Sequence, residues 1–217
     1  MKLLVHPATT SREPTRLTAL LTGSYSEPED FVREGFAASA GACGFPGELV
    51  LAEMRATWFA DGSIVDRIRA AIVEPARSRG ITDIRLGGIS LGALSVMAYA
   101  ARREADVRGL LLLSPYPATR EVLREIDMAG DLDAWHPALP PEGDLEREAW
   151  QWLRTRPAQR MPVHLWFGSG DRFASAQRRI GAILDPRLVH EVPGGHDWAT
   201  WRQCWDAFLA DSCKVPA

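Results

Sequence analysis

The sequence predicts an α/β fold in which helices cover both faces of a mostly parallel β-sheet. Short apolar segments alternate along the chain with longer amphipathic segments, an arrangement typical of parallel strands joined by helical crossovers. The chain has 217 residues, of which 46% are hydrophobic, so it can bury one sizeable core. We therefore predict a single doubly wound domain spanning residues 1–217.

Six apolar segments are predicted to form strands and five amphipathic segments to form helices. The second helix has a capping-box pattern, because Ser63 precedes its first turn and Asp66 follows three residues later. Residues just after the carboxyl ends of the strands are expected to line an active site. The predicted strands are 17–22, 48–54, 84–89, 109–114, 163–167 and 188–192, and the predicted helices are 28–40, 63–79, 91–103, 174–184 and 198–210.

One connection is much longer than the others. Residues 115–161 separate the fourth predicted strand from the fifth, and they contain two charged amphipathic stretches around a proline-rich segment. This segment is too long for a plain crossover. We predict that it forms a helical cap inserted into the domain and covering the ends of the strands.

Composition and charge exclude several classes of partner. The net charge is −3 and basic residues form no stripe, so we expect neither nucleic acid nor a membrane as a partner. No apolar run approaches the roughly 20 residues that span a bilayer, and the start, MKLLVHPATT, lacks a signal-peptide core, which predicts a soluble cytoplasmic protein. Cys43, Cys204 and Cys213 are too few and too scattered for a disulfide framework, so we expect reduced thiols. No HxH or HExxH spacing is present, and we predict no metal and no cofactor.

The segment GGISLGAL places Ser90 between a predicted strand and a predicted helix. A chain that reverses so sharply strains the central residue, and glycines such as Gly88 and Gly92 relieve contacts with neighbouring elements. Such a turn exposes the serine hydroxyl above the sheet, at a helix N-terminus that favours negative charge. The pattern alone is weak evidence, and a simple strand-to-helix turn is the alternative. The strand-like DIRLGG before it and the helix after it favour a nucleophile.

A serine nucleophile needs a base, and the base needs an acid that fixes its orientation. His196 follows the last predicted strand on a glycine-containing loop and is the best candidate for the base. Asp171 follows the fifth predicted strand and is the best candidate for the acid. Asp197 is adjacent to the histidine, so its side chain cannot easily fold back onto the ring, and we expect it to cap the last helix. Four other histidines have structural roles in this interpretation: His6, His136, His164 and His190.

The sequence resembles the α/β-hydrolase superfamily through GGISLG at Ser90, GSGD at Asp171 and PGGHDW at His196. Members of this superfamily have the same order along the chain, with the serine first, the acid next and the histidine last. The resemblance covers nearly the whole chain. It implies that Ser90 attacks a carbonyl group, that His196 transfers the proton and that Asp171 orients His196. It also implies a compact variant of the fold, in which one or both of the usual antiparallel N-terminal strands are missing or reduced to KLLVH.

The resemblance further implies an oxyanion hole made of two backbone amides. One is the amide of Leu91, directly after the nucleophile. The other belongs to the loop after an early strand, where Gly23 allows close approach and the amide of Ser24 or Tyr25 donates. The family often has His-Gly at this point, whereas this chain has Thr22 before Gly23.

Three aromatic residues are candidates for the substrate pocket. Trp58 and Phe59 follow the second predicted strand, and Trp135 lies in the predicted cap. Packing beneath the cap is an equally good interpretation of Trp58 and Phe59. An apolar surround of this kind suits a modest apolar acyl or alcohol group.

These observations predict a serine hydrolase that cleaves a small carboxylic ester or thioester through an acyl-enzyme. An acyltransferase or an amide or peptide hydrolase could use the same three residues. A ligand-binding protein that keeps the fold without catalysis is the hypothesis from another class. The sequence leaves the substrate and the oligomeric state open.

Overall fold

A computed structural model describes residues 1–7, 15–130, 132–137, 143–156 and 161–213. Within these ranges, seven strands form one sheet in the order β1-β3-β2-β4-β5-β6-β7, in which β1 is antiparallel to β3 and every other pair is parallel. All six predicted strands are present, and the KLLVH segment supplies β1 as an antiparallel N-terminal strand. The strands are β1 Leu3–His6, β2 Arg16–Leu21, β3 Glu48–Ala52, β4 Asp83–Ile89, β5 Gly109–Leu113, β6 Val163–Gly168 and β7 Val189–Val192.

Helices lie on both faces of this sheet and enclose two hydrophobic clusters. On one face, α1, α2 and α10 bury aromatic residues that include Phe36 and Trp205. On the other face, the remaining helices pack around residues such as Leu94 and Trp150. The predicted α/β architecture is confirmed. The helices are α1 Pro28–Arg33, α2 Phe36–Cys43, α3 Ala56–Ala60, α4 Ile64–Ile68, α5 Glu74–Ser78, α6 Leu91–Arg103, α7 Arg120–Ala129, α8 Leu145–Thr155, α9 Ala174–Ala182 and α10 Trp198–Ser212.

The first predicted helix, 28–40, is in fact two helices. Gly35 separates α1 from α2 with a φ of 82°, a left-handed conformation that glycine adopts without strain. A Cβ atom at Gly35 would overlap the guanidinium of Arg202, which donates to the carbonyl of Glu34 at 2.6 Å. The left-handed backbone at Gly35 ends α1, and Arg202 of the distant helix α10 fills the space beside it.

The second predicted helix, 63–79, contains a wide π-type turn at Arg69–Val73 between α4 and α5. The turn ends two residues before Pro75, which cannot donate a backbone hydrogen bond. The predicted capping box is wrong. The Ser63 hydroxyl accepts a hydrogen bond from Arg67 at 3.1 Å, while the Ser63 amide donates to the Asp61 carboxylate at 2.9 Å.

Two of the three cysteines are paired, so the expectation of reduced thiols is wrong for them. A disulfide joins Cys43 at the end of α2 to Cys213 just after α10, and their Cα atoms are 6.2 Å apart. The two residues are 170 positions apart in sequence, and only the packing of α2 against α10 brings them together. Cys204 is a buried free thiol, and burial raises its pKa to about 12.

The segment predicted as a cap, 115–161, contributes α7 and α8. Helix α8 packs alongside α6, and Arg102 of α6 binds Glu148 of α8 through two hydrogen bonds of 2.6 and 2.8 Å. The fully buried Trp150 donates from Nε1 to the carbonyl of Pro117 at 2.8 Å. These contacts place α8 in the helical layer beside α6. Residues 131, 138–142 and 157–160 lie outside the described ranges, and the covering of the strand ends stays a prediction.

Candidate active site

Ser90 occupies the sharp turn between β4 and α6. Its φ of 54° and ψ of −117° form a conformation that residues other than glycine rarely adopt. The Ser90 amide donates to the carbonyl of Leu113 at 3.0 Å, which ties the turn to β5. A held, strained turn of this type projects the side chain away from the sheet and leaves the Leu91 amide at the free N-terminus of α6.

The two glycines around Ser90 have no room for a side chain. A Cβ atom at Gly88 would lie 2.5 Å from the carbonyl carbon of Gly92. A Cβ atom at Gly92 would overlap the carbonyl oxygens of Leu21 and Thr22 at the end of β2. The obstructing atoms are backbone atoms, which cannot rotate away. Glycines were expected on both sides of the serine because a side chain there would meet neighbouring elements, and these distances agree with that reason.

Ser90, His196 and Asp171 meet at the carboxyl ends of β4, β6 and β7. The Oγ atom of Ser90 is 2.9 Å from Nε2 of His196, and Nδ1 of His196 is 2.7 Å from Oδ2 of Asp171. Because a carboxylate only accepts, Nδ1 carries a proton and the neutral ring presents Nε2 as an acceptor to the serine hydroxyl. The three residues singled out from sequence therefore form one continuous hydrogen-bonded chain.

The environment of Asp171 keeps its carboxyl group ionised. Burial alone would raise the pKa of Asp171, but hydrogen bonds from His196, the Phe173 amide and Gln177 outweigh burial and lower the pKa below its usual value. The Phe173 amide donates to Oδ1 at 2.8 Å. An ionised, fixed carboxylate holds the imidazole in one tautomer and in one orientation.

The loop carrying His196 is fixed by the start of α10. Asp197 accepts hydrogen bonds from the amide and the hydroxyl of Thr200 at 2.9 and 3.0 Å, so it caps α10 as expected. The Thr200 hydroxyl also accepts from the amide of Gly195 at 2.9 Å. A further bond runs from the Gly170 amide to the carbonyl of Gly194 at 2.8 Å, which links the histidine loop to the aspartate loop.

Aromatic rings surround His196 on two sides. The rings of Phe173 and Trp201 approach it edge to face, with centroids 5.2 and 5.1 Å away. Tyr116 in turn meets Phe173 edge to face at 5.3 Å. Such contacts restrict the rotation of the imidazole and exclude water from part of its surface. Sequence reasoning assigned none of these three residues to the site.

The loop after β2 approaches Ser90 as predicted for an oxyanion loop. A Cβ atom at Gly23 would lie 3.5 Å from Cβ of Ser90. Thr22 accepts a hydrogen bond from the Met54 amide at 3.0 Å through its hydroxyl, so this residue anchors the loop to the chain after β3. Tyr25 has a φ of 62° and a fully exposed side chain. The structure thus brings Gly23 close to the serine, while the roles of the Ser24 and Tyr25 amides stay a prediction.

The three pocket candidates lie in different surroundings. Trp58 is half-buried between two cations, with the Arg55 and Arg67 guanidiniums 5.3 and 4.4 Å from the ring centroid. Phe59 is half-buried against the core. Trp135 is 3% exposed and belongs to the core cluster, so packing accounts for its burial. No described contact joins any of the three to the three-residue chain at Ser90.

Gln177 is a fourth residue of the site that sequence reasoning missed. It is fully buried on α9 and its Nε2 lies 3.2 Å from Oδ2 of Asp171. The available signal was a polar residue in the buried stripe of α9, midway between Ala174 and Ile180.

The described residues contain no group of three or more His, Cys, Asp or Glu side chains placed to hold a metal ion. None of the helices in the described ranges combines the length and the apolar character that a bilayer-spanning segment requires.

Comparison with solved structures identifies the architecture. No protein-family model matches the sequence, and no curated protein is similar to it in sequence. The fluorophosphonate-binding serine hydrolase FphF of Staphylococcus aureus superposes with a TM-score of 0.68 at 14% identity, over 98% of this chain and 92% of that one. The chain has the α/β-hydrolase fold.

Other α/β-hydrolase structures agree. Est1E from Butyrivibrio proteoclasticus has a TM-score of 0.66 at 18% identity, over 98% of this chain and 94% of its own. S-formylglutathione hydrolase FrmB from Staphylococcus aureus has a TM-score of 0.63 at 14% identity, over 94% and 84%. The seven-stranded sheet described above is therefore an α/β-hydrolase sheet with one short antiparallel strand at its start.

Proposed function

We propose that this protein is a serine hydrolase that cleaves a small carboxylic ester or thioester through an acyl-enzyme. The observation that carries the proposal is the hydrogen-bonded chain from Ser90 through His196 to Asp171, at 2.9 and 2.7 Å, on a strained turn of an α/β-hydrolase fold. A neutral serine is a weak nucleophile, and this arrangement supplies the base that accepts its proton.

In the first half of the reaction, Oγ of Ser90 forms a bond to the carbonyl carbon of the substrate. The hydroxyl proton passes to Nε2 of His196, and Asp171 stabilises the resulting imidazolium. His196 then gives this proton to the oxygen or sulfur of the leaving group as its bond to the carbonyl carbon breaks. In the second half, a water molecule attacks the acyl-enzyme, its proton passes through His196 to Oγ of Ser90, and the acid is released.

The negative charge that develops on the carbonyl oxygen needs hydrogen-bond donors. We assign this role to the amide of Leu91, which lies at a helix N-terminus, and to the amide of Ser24 or Tyr25. The latter two follow Gly23, where a Cβ atom would lie 3.5 Å from Cβ of Ser90. Each donor of this kind lowers the barrier by roughly 3 to 4 kcal/mol.

The substrate class is proposed from the surroundings of the base. Phe173 and Tyr116 offer aromatic surface beside His196, which suits a modest apolar group. We keep Trp58 and Phe59, which follow β3, as candidates for the far wall of the pocket, and Trp135 as a residue that supports it. The neighbours include an esterase and an S-formylglutathione hydrolase, so oxygen esters and thioesters both belong in the test.

A panel of p-nitrophenyl esters with graded acyl length, and acyl thioesters beside them, tests the proposal. The wild type should hydrolyse at least one member, and Ser90→Ala should lose activity by on the order of 10⁵-fold or more. Ser175→Ala, at an exposed position of α9, is the matched control and should behave as wild type. The proposal is contradicted if a folded wild type hydrolyses no member of the panel, or if wild type and Ser90→Ala hydrolyse the esters at equal rates. Product analysis with a competing alcohol or amine separates hydrolysis from acyl transfer.

A further inference from the structure

Gln177 contacts the same carboxylate oxygen of Asp171 that accepts from the imidazole of His196. Its Nε2 lies 3.2 Å from Oδ2 of Asp171, the oxygen that accepts from His196, and 3.0 Å from the carbonyl oxygen of Pro115. Both partners can only accept, since one is a carboxylate and the other a backbone carbonyl. The amide nitrogen of Gln177 must therefore face them, and its two protons serve the two partners.

The position of Gln177 is costly for a residue that merely packs. Its side chain is fully buried between Ala174 and Ile180 on the core face of α9. Among the residues that the structure describes, its Oε1 is buried without a hydrogen-bond partner, which costs about 1 to 3 kcal/mol. An apolar side chain would avoid this cost and suit the helix pattern. What a glutamine adds is the pair of donors.

These two hydrogen bonds join three parts of the site. Pro115 lies just after β5, Asp171 just after β6, and Gln177 on the helix between β6 and β7. The contact with Asp171 is one of the hydrogen bonds that lower the pKa of its carboxyl group. Without it, the donors to this carboxylate among the described residues would be the Phe173 amide and His196.

We propose that Gln177 is a positioning residue of the reaction, which holds Asp171 in the orientation that His196 requires by tying it to the loop after β5. Gln177 does not touch the reacting atoms and acts through Asp171. The kinetic part of this inference rests on the proposed hydrolase activity, whereas the hydrogen bond to Asp171 can be measured without it.

The test uses Gln177→Met, which keeps the length and volume of the side chain and removes the donors. Gln203→Met, at an exposed position of α10, is the matched control. We expect Gln177→Met to lower kcat about tenfold or more with KM nearly unchanged, because a hydrogen bond to a charged group is lost. Gln203→Met should leave both constants unchanged.

Gln177→Glu gives a signature that a packing role would not produce. At neutral pH the introduced carboxylate repels Asp171, whereas its protonated form can donate to it. The ratio of Gln177→Glu to wild-type kcat should therefore rise as the pH falls, and the ratio for Gln177→Met should not. Gln203→Glu controls for the added charge. If Gln177→Met fails to fold, the pH dependence of kcat in Gln177→Glu still tests the proposal.

A carboxyl ¹³C titration of protein labelled at aspartate supplies the readout that is independent of activity. The Asp171 signal is identified by its absence in Asp171→Asn. Gln177→Met should raise the pKa of Asp171, because one of the groups that lowers it is gone. A raised pKa in a protein that hydrolyses nothing would refute the hydrolase proposal and leave the positioning contact standing. The inference about Gln177 would be overturned if the wild type is active and Gln177→Met changes neither kcat nor the Asp171 titration, while the kcat ratio of Gln177→Glu to wild type does not change with pH.

Discussion

Replacing Gly92 with alanine tests the turn that carries the proposed nucleophile. The new Cβ atom would lie 2.5 Å from the carbonyl oxygen of Leu21 and would also overlap that of Thr22, whereas real Cβ contacts stay beyond 3.0 Å. The start of α6 must therefore move by at least about 0.5 Å relative to β2, since both obstructing atoms belong to the backbone at the end of a strand. This movement separates the Ser90 turn and the Leu91 amide from the loop of Gly23.

The expected cost follows from that displacement. A misplacement of about 1 Å costs on the order of 10²-fold in rate, so about 0.5 Å should lower kcat about tenfold. Overpacking should also lower the free energy of unfolding by about 1 to 3 kcal/mol, reduced by up to about 1 kcal/mol because alanine favours the helix. Ester hydrolysis gives kcat, and urea unfolding gives the stability.

Gly41→Ala is the matched control. Gly41 lies within α2, and a Cβ atom there meets nothing within 4 Å. We expect this variant to keep wild-type kcat and to gain up to about 1 kcal/mol of stability. The reasoning about the turn is refuted if Gly92→Ala matches Gly41→Ala in both kcat and unfolding free energy.

Three further predictions concern the acid, the histidine loop and the pH dependence of stability. Asp171→Asn should reduce kcat by about 10⁴-fold, because an amide can hold His196 in the wrong tautomer, and a loss below tenfold would contradict its role. Thr200→Val should lower kcat and destabilise the fold by about 1 to 2 kcal/mol, because the Thr200 hydroxyl accepts from the Gly195 amide and donates to the capping residue Asp197. Urea unfolding that shows a variant as stable as wild type would refute this prediction. Burial, with a smaller effect of Arg85, lowers the pKa of His164 to about 4 in the folded protein. In the unfolded chain this histidine is protonated already below about pH 6.5, so the free energy of unfolding should fall as the pH drops from about 6.5 to about 4. His164→Phe should remove about 2 kcal/mol of that loss at pH 4.5, as measured by urea unfolding. If the free energy of unfolding falls equally with pH in both proteins, the assignment is contradicted.

Local patterns predicted the elements that carry the site. The turn at Ser90 could be identified because its glycines have a steric reason to be there, and the structure places backbone atoms where their side chains would be. Asp171 and His196 could be identified because parallel strands bring their carboxyl ends together, so two residues after different strands lie close. These inferences need only the order of the strands and the direction in which they run.

Features that depend on long-range packing were not predictable in the same way. Gly35 separates two helices with a left-handed backbone, and the adjacent space is filled by Arg202 of a helix distant in sequence. Cys43 and Cys213 meet because α2 and α10 pack together, although nothing near either residue indicates a partner.

Gln177 illustrates the same limit within the site. Its place in the core stripe of α9 is visible from the spacing of its neighbours, but the carboxylate it faces is set by the tertiary structure. A polar residue at a core position is thus a signal that a buried partner exists, without naming that partner.

The most direct measurement of the central claim is covalent labelling with a fluorophosphonate, followed by mass spectrometry of the intact protein and of its peptides. The account predicts one adduct, located on Ser90, in the wild type, and none in Ser90→Ala, while Ser175→Ala labels as the wild type does. An adduct on another residue, or a folded wild type that acquires none, would contradict the claim that Ser90 is an activated nucleophile.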